Sequence, residues 1–172
     1  MSTTARTAPL ARLLAAAALA VLLAACAGYG PQGRTALTLP EGRRDLYIVE
    51  VENPSLRPDL SAQLRALLRD ELSKRGQVRW TDREHATAVI HLTVHDFKSS
   101  SALTGSHDET LKSTATISLE ARMERRPEGG DLWRSGRVSV SRSYTGNDRA
   151  DAEAEVLDRA VQQLVDQLGQ AY

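Results

Sequence analysis

The 172-residue chain predicts an α+β fold: two helices packed on one face of a four-stranded, largely antiparallel sheet with a long β-hairpin. Three observations carry that expectation. Residues 111–123 alternate between apolar and polar with period two, the mark of a strand with one buried face. Two segments, 60–72 and 156–168, carry apolar stripes at helical spacing. The order is strand, helix, three strands, helix, so each helix has one stripe to bury and the sheet one face, and both helices fit on the same side.

The first strand is expected over Asp45–Glu52, "DLYIVEVE", which is β-rich and apolar on both faces of its first half. "NPSLRP" ends it. Pro58 suits a first helical turn and Asp59 complements the positive end of the helix dipole. Leu60, Leu64, Leu67, Leu68 and Leu72 then form one stripe, with Arg65, Arg69 and Lys74 off it. Asp70 with Lys74, and Glu71 with Arg75, are acid-before-base pairs four apart, each adding a few tenths of a kcal/mol. Gly76 supplies the stop.

Ala86–Phe97 alternates, with Ala88, Ile90, Leu92 and Val94 on one side and Val89, His91, Thr93 and His95 on the other. Serines and glycine over Ser99–Ser106 read as a loop. In the next strand Leu111, Ala115, Ile117, Leu119, Ala121 and Met123 point one way; Lys112, Thr114, Thr116, Ser118, Glu120 and Arg122 point the other. "PEGGD", Pro127–Asp131, is a turn into a partner strand expected over Leu132–Tyr144, with Val138 and Val140 inward and Ser139, Ser141 and Ser143 outward. The second helix is expected over Asp148–Gly169 on Val156, Leu157, Ala160, Val161, Leu164 and Leu168. Asp148, Asp151, Glu153 and Glu155 gather at its start, where the helix dipole favours acids. The face of the sheet left uncovered is Thr, Ser, His, Arg and Lys, and it cannot rest against lipid tails.

Upstream of the domain, Arg6 and Arg12 form a basic lead and Leu13–Leu23 an uncharged run ending in small residues, the layout of a secretory signal over residues 1–25. A membrane span needs roughly 20 apolar residues, and this run is shorter. Cys26, the only cysteine, follows it directly. Leu23-Ala24-Ala25-Cys26 resembles the bacterial lipobox, which implies a diacylglyceryl and N-acyl lipid on Cys26. Each buried acyl methylene contributes about 0.8 kcal/mol, so several chains on one residue give a stable anchor. Ala27 in place of aspartate favours the outer membrane over the inner. Residues 26–42, rich in Gly, Pro and Thr, read as the tether and residues 43–172 as a single domain.

The 22 basic and 22 acidic residues become 20 and 22 once Arg6 and Arg12 are removed, a balance that does not suggest a nucleic-acid partner. No Walker loop, dinucleotide fingerprint, CxxC or GxSxG elbow occurs. On a strand, His91 and His95 share a face but stand roughly 13 Å apart, too far to hold one metal ion by themselves. Ser99–Ser101 fall in the expected loop and read as ordinary loop serines. No enzyme, metal or cofactor is expected.

From Cys26 onward the order of segments resembles one family. "CAGYG", "LP" before the first strand, "NPSLRPDLSAQLRALLRDELSKRG", "ATAVIHLTVHDF", the long hairpin, "SRSYTG" and "DRAVQQLVDQL" are similar to the LptE lipopolysaccharide-assembly lipoproteins. The resemblance implies two helices on a four-stranded sheet, no catalysis, and a lipid-anchored protein at the periplasmic face of the outer membrane. It implies an LptD-type outer-membrane β-barrel as partner, which the domain plugs and helps assemble, and delivery of lipopolysaccharide to the cell surface. It also implies lipopolysaccharide-binding basic residues in two loops. The matching positions are Lys98 and Lys112, flanking a loop whose only basic side chain is His107, and Arg142 and Arg149 before the last helix. The competing expectation is a free periplasm-facing lipoprotein carrier that binds an amphiphile without a barrel.

Overall fold

The computed structural model describes residues 37–102, 112–145 and 148–171. The signal, Leu23–Cys26 and His107 lie outside them. Six strands and two helices follow in order: β1 (Asp45–Ile48), α1 (Asp59–Arg75), β2 (Arg79–Trp80), β3 (Ala88–Ala102), β4 (Lys112–Arg125), β5 (Asp131–Arg134), β6 (Val138–Thr145) and α2 (Arg149–Gln170). The sheet order is β2-β1-β3-β4-β5, with β6 beside β4 after β5.

The α+β class and the two helices are as the sequence predicts; the sheet differs. It has six strands and is mixed, because β1 runs parallel to both β2 and β3. Antiparallel pairing is confined to β3, β4 and the β5–β6 arm. The parallel pairing follows from the connection: the helix between β1 and β3 returns the chain to the end where it began, as a crossover does. β2 is two residues long, too short to show a period.

Strand bounds shift for local reasons. β1 stops at Ile48, opposite Ile90, and the chain rejoins β3 only at Glu52 opposite Thr93, one residue out of step. β3 continues through Ser99–Ala102, where a loop was expected, because β4 pairs with it as far as Lys112 opposite Ala102. Within β3 the register slips between Val94 and Asp96, leaving His95 as an extra residue. That bulge turns Phe97 to the side of Val94, against the core, and Asp96 and Lys98 to the uncovered side. The expected strand Leu132–Tyr144 is broken in two. Ser135 stands at the break; its backbone N–H donates to the Ala121 carbonyl and its hydroxyl accepts from the Ala121 N–H, both at 2.9 Å.

One core joins the inward residues of every long strand to both helices: Leu46, Leu92, Val94, Ile117, Leu119 and Met123 meet Leu60, Leu64, Leu72, Val156, Val161 and Leu164. Both helices therefore lie on one face of the sheet. The α2 stripe also takes in Ala152 and Val165. Between the helices, Arg75 Nε bonds Glu71 Oε1 at 2.7 Å while its Nη1 reaches Asp166 on α2. The Glu71–Arg75 pair, read from spacing as worth a few tenths of a kcal/mol, is buried, with side chains 5% and 8% exposed.

Of the stretch expected as tether, residues 37–42 pack onto the domain. Leu37 and Leu39 are buried, and the Leu37 N–H donates to the Arg75 carbonyl at 2.9 Å. Gly76 ends α1 with an extended backbone, φ −111°, not in the left-handed region. Space is what it supplies: an added Cβ would stand 3.2 Å from the Leu72 carbonyl and 3.3 Å from Val78 Cγ2.

Candidate functional site

The face of the sheet opposite the helices has two zones, and the register of three strands builds both. At one end hydroxyls stand in rows. Thr114 faces Ser143, Thr116 faces Ser141 and Ser118 faces Ser139 across β4 and β6. Thr116 Oγ1 and Ser141 Oγ lie 2.9 Å apart. Cross-strand hydroxyl pairs of this kind add a few tenths of a kcal/mol. Lys98 stands beside them, opposite Thr116, with Nζ 2.8 Å from Asp96 Oδ2.

At the other end the face is ionic. His91 Nε2 lies 3.5 Å from Glu124, and His95 Nε2 3.3 Å from Glu120. Arg137 Nη2 lies 3.3 Å from His95 Nδ1. Arg122 reaches Asp131 at 3.2 Å and Glu124 at 3.7 Å; Arg134 reaches Asp131 at 3.1 Å. The hydrogen bond from Arg134, with Arg122 close by, holds the Asp131 carboxyl below its usual range. A shallow groove of about 220 Å³ runs through this cluster, lined by Glu52, His91, Thr93, His95, Glu120 and Arg134. The two histidines face different glutamates, and among the described residues no group of three or more His, Cys, Asp or Glu could hold a metal ion.

The basic residues matched to the family do not converge. Lys98 is on the uncovered face, and Lys112 opens β4 opposite Ala102 and Thr145. Arg142 is a β6 residue turned toward the helices, where it pairs with Glu155 of α2. Arg149 is the first residue of α2, its Nε 2.7 Å from Glu153 Oε1. Glu153 also receives Arg57 Nη1 at 3.0 Å, tying the β1–α1 loop to α2. Burial raises the Glu153 pKa, but the bonds from Arg149 and Arg57 outweigh it and hold the carboxyl below its usual range. Sequence reasoning missed this clamp, since residues 57 and 153 are brought together only by the packing of the two helices.

The described chain thus presents a helix-backed sheet with a polar, ion-paired open face. A family model described as "LptE: Lipopolysaccharide-assembly" matches residues 43–171. The chain belongs to the LptE family. That is a non-enzymatic family of lipopolysaccharide-assembly lipoproteins, so the domain is an envelope lipoprotein of that type. No curated protein matches the chain by sequence.

Solved structures share the fold of this LptE-family domain at low identity. Uncharacterized lipoprotein B from Nitrosomonas europaea is 14% identical with a TM-score of 0.59, over 83% of this chain and 91% of that one. The PelC dodecamer from Paraburkholderia phytofirmans gives 14% and 0.54, over 78% and 93%. A lipoprotein from Caulobacter crescentus gives 16% and 0.52, over 73% and 88%.

Proposed function

We propose that this protein is the lipid-anchored plug and assembly partner of an LptD-type outer-membrane β-barrel, and that together they deliver lipopolysaccharide to the cell surface. The observation that carries the reading is the uncovered face. It is polar from the Ser143 row to His91 and Glu124, with Arg122 and Arg134 paired to Asp131, so it suits a wet, polar lumen and not a lipid surface. Cys26, behind Leu23-Ala24-Ala25, carries the acyl chains and holds the domain at the periplasmic face of the outer membrane. Lys98, Lys112, Arg142 and Arg149 are the residues proposed to meet lipopolysaccharide phosphates. For Arg142 and Arg149 this requires exchange of Glu155 and Glu153 for phosphate.

The carrier alternative needs an apolar cavity of several hundred Å³. Between helices and sheet, the gap lined by Leu68, Leu72, Ile90, Met123, Trp133 and Leu164 has about 10 Å³, near the size of one water. Purification of the full chain from native membranes in mild detergent tests the proposal. A stable complex with a heat-modifiable barrel is the expected result; a monomer carrying bound lipid would support the carrier and overturn the plug. Cys26→Ala should abolish fatty-acid labelling, and unchanged labelling would refute the anchor.

A further inference from the structure

The edge of the sheet away from β6 carries a groove that the plug reading does not use. It runs between α1 and the β1–β2 edge, has a volume of about 360 Å³, and is lined by Tyr47, Ile48, Ala62, Arg65, Ala66, Arg69, Trp80 and Thr81. Arg65 and Arg69 are four apart on α1, so both stand over the same side of the groove. Trp80 is fixed beneath them: its indole N–H donates to Ser73 Oγ at 2.8 Å, and the Arg69 guanidinium lies 5.0 Å from its ring centre. Small side chains, Ala62 and Ala66, keep the helix side open.

Two features make this surface receptive. The first is charge. Among the described residues Arg65 meets no carboxylate and Arg69 is engaged only through the Trp80 ring; Arg44, Arg83, Arg126 and Arg137 also lack a carboxylate, but Arg65 and Arg69 stand together over a groove. Acids on the neighbouring elements are paired elsewhere, Asp70 with Lys74, Asp45 with Arg79 and Asp82 with His85. The second is backbone. β2 is an edge strand whose ladder bonds to β1 run from the N–H groups of Arg79 and Thr81, to the Arg44 and Leu46 carbonyls. By strand alternation the Trp80 N–H and C=O between them point away from the sheet.

We infer that this groove is a docking site for a short, extended acidic peptide segment of a partner protein. The segment's backbone extends the sheet at Trp80, one apolar side chain fills the space over Ile48, Ala62 and Ala66, and its carboxylates meet the forks of Arg65 and Arg69. Strand addition supplies affinity through main-chain bonds, and the pocket and the guanidinium pair supply selectivity.

The test is fluorescence anisotropy of a labelled, capped octapeptide alternating glutamate and leucine, titrated with the full-length protein in detergent micelles. Saturable binding is expected, weakened by about tenfold or more in the Arg65→Glu/Arg69→Glu double variant. The Arg137→Glu/Arg159→Glu variant, with the same charge change at exposed sites away from the groove, should bind as wild type. Ala66→Trp, which fills the groove without altering charge, should also block binding. No binding, equal loss in both charge-reversal variants, or unchanged binding to Ala66→Trp would overturn the inference. So would Arg65/Arg69-dependent binding of inorganic phosphate or of phosphatidylglycerol vesicles in place of the peptide.

Discussion

Glu153 receives arginines from two directions, Arg149 one turn below it at 2.7 Å and Arg57 across from the β1–α1 loop at 3.0 Å. Because those bonds hold its folded pKa below the unfolded value, its contribution to stability is fully present above the ordinary glutamate range and is lost as pH falls through the folded pKa. Glu153→Gln should therefore lower stability at neutral pH and flatten its acid dependence, as read by urea melts at stepped pH. A variant whose loss on acidification matched wild type would contradict this. Glu71 is the companion case. Removing it leaves the buried Arg75 side chain with Asp166 across the helix pair, so Glu71→Ala should cost about 2 kcal/mol in a urea melt, several times the few tenths that spacing alone suggests. Nothing in the one-dimensional spacing distinguishes this pair from the exposed Asp70–Lys74 pair a residue earlier. Burial was decided by which way α2 lies against α1, and that is a tertiary fact.

At the scale of elements, the strand interruptions matter most. Ser135 fills the gap between β5 and β6, and its hydroxyl is the acceptor for the buried Ala121 N–H. Ser135→Ala orphans that donor and should destabilise the domain by about 1–3 kcal/mol, measured by thermal or urea unfolding. A neutral substitution would mean that water or a backbone shift replaces the hydroxyl. At the β4–β5 turn, Gly130 has φ +95°, and a side chain there would be strained. Gly130→Ala should cost about 1 kcal/mol on the same assay. These elements also show where a sequence is readable. Helices α1 and α2 and strand β4 stand out because a single period holds over their whole length. β2 has no length over which to show one, and the parallel pairing of β1 depends on where α1 delivers the chain. The His95 bulge leaves only a faint mark, the step of three from Val94 to Phe97, because Lys98–Ser101 after it are all polar and show no alternation to fix the new phase.

Across the described domain the division is one-sided: helices and an apolar core below the sheet, hydroxyls and ion pairs above it. That division was legible, because the polar half of each alternating strand can be written down from the sequence. Which polar residues become neighbours was not, since His95–Glu120 and Arg122–Asp131 depend on strand register and on two bulges. The same limit explains the basic residues carried over from the family. Arg142 falls within the strand expected over Leu132–Tyr144, on the side of Val138 and Val140, yet only the packing of α2 brings Glu155 to it. The most direct measurement places a photo-crosslinking amino acid at Ser141, in the middle of the hydroxyl rows, and irradiates intact envelopes. An adduct with an outer-membrane β-barrel, absent when the same probe replaces the exposed Gln163 on the helix side, is the predicted result. Barrel adducts from Gln163 and none from Ser141 would contradict the account.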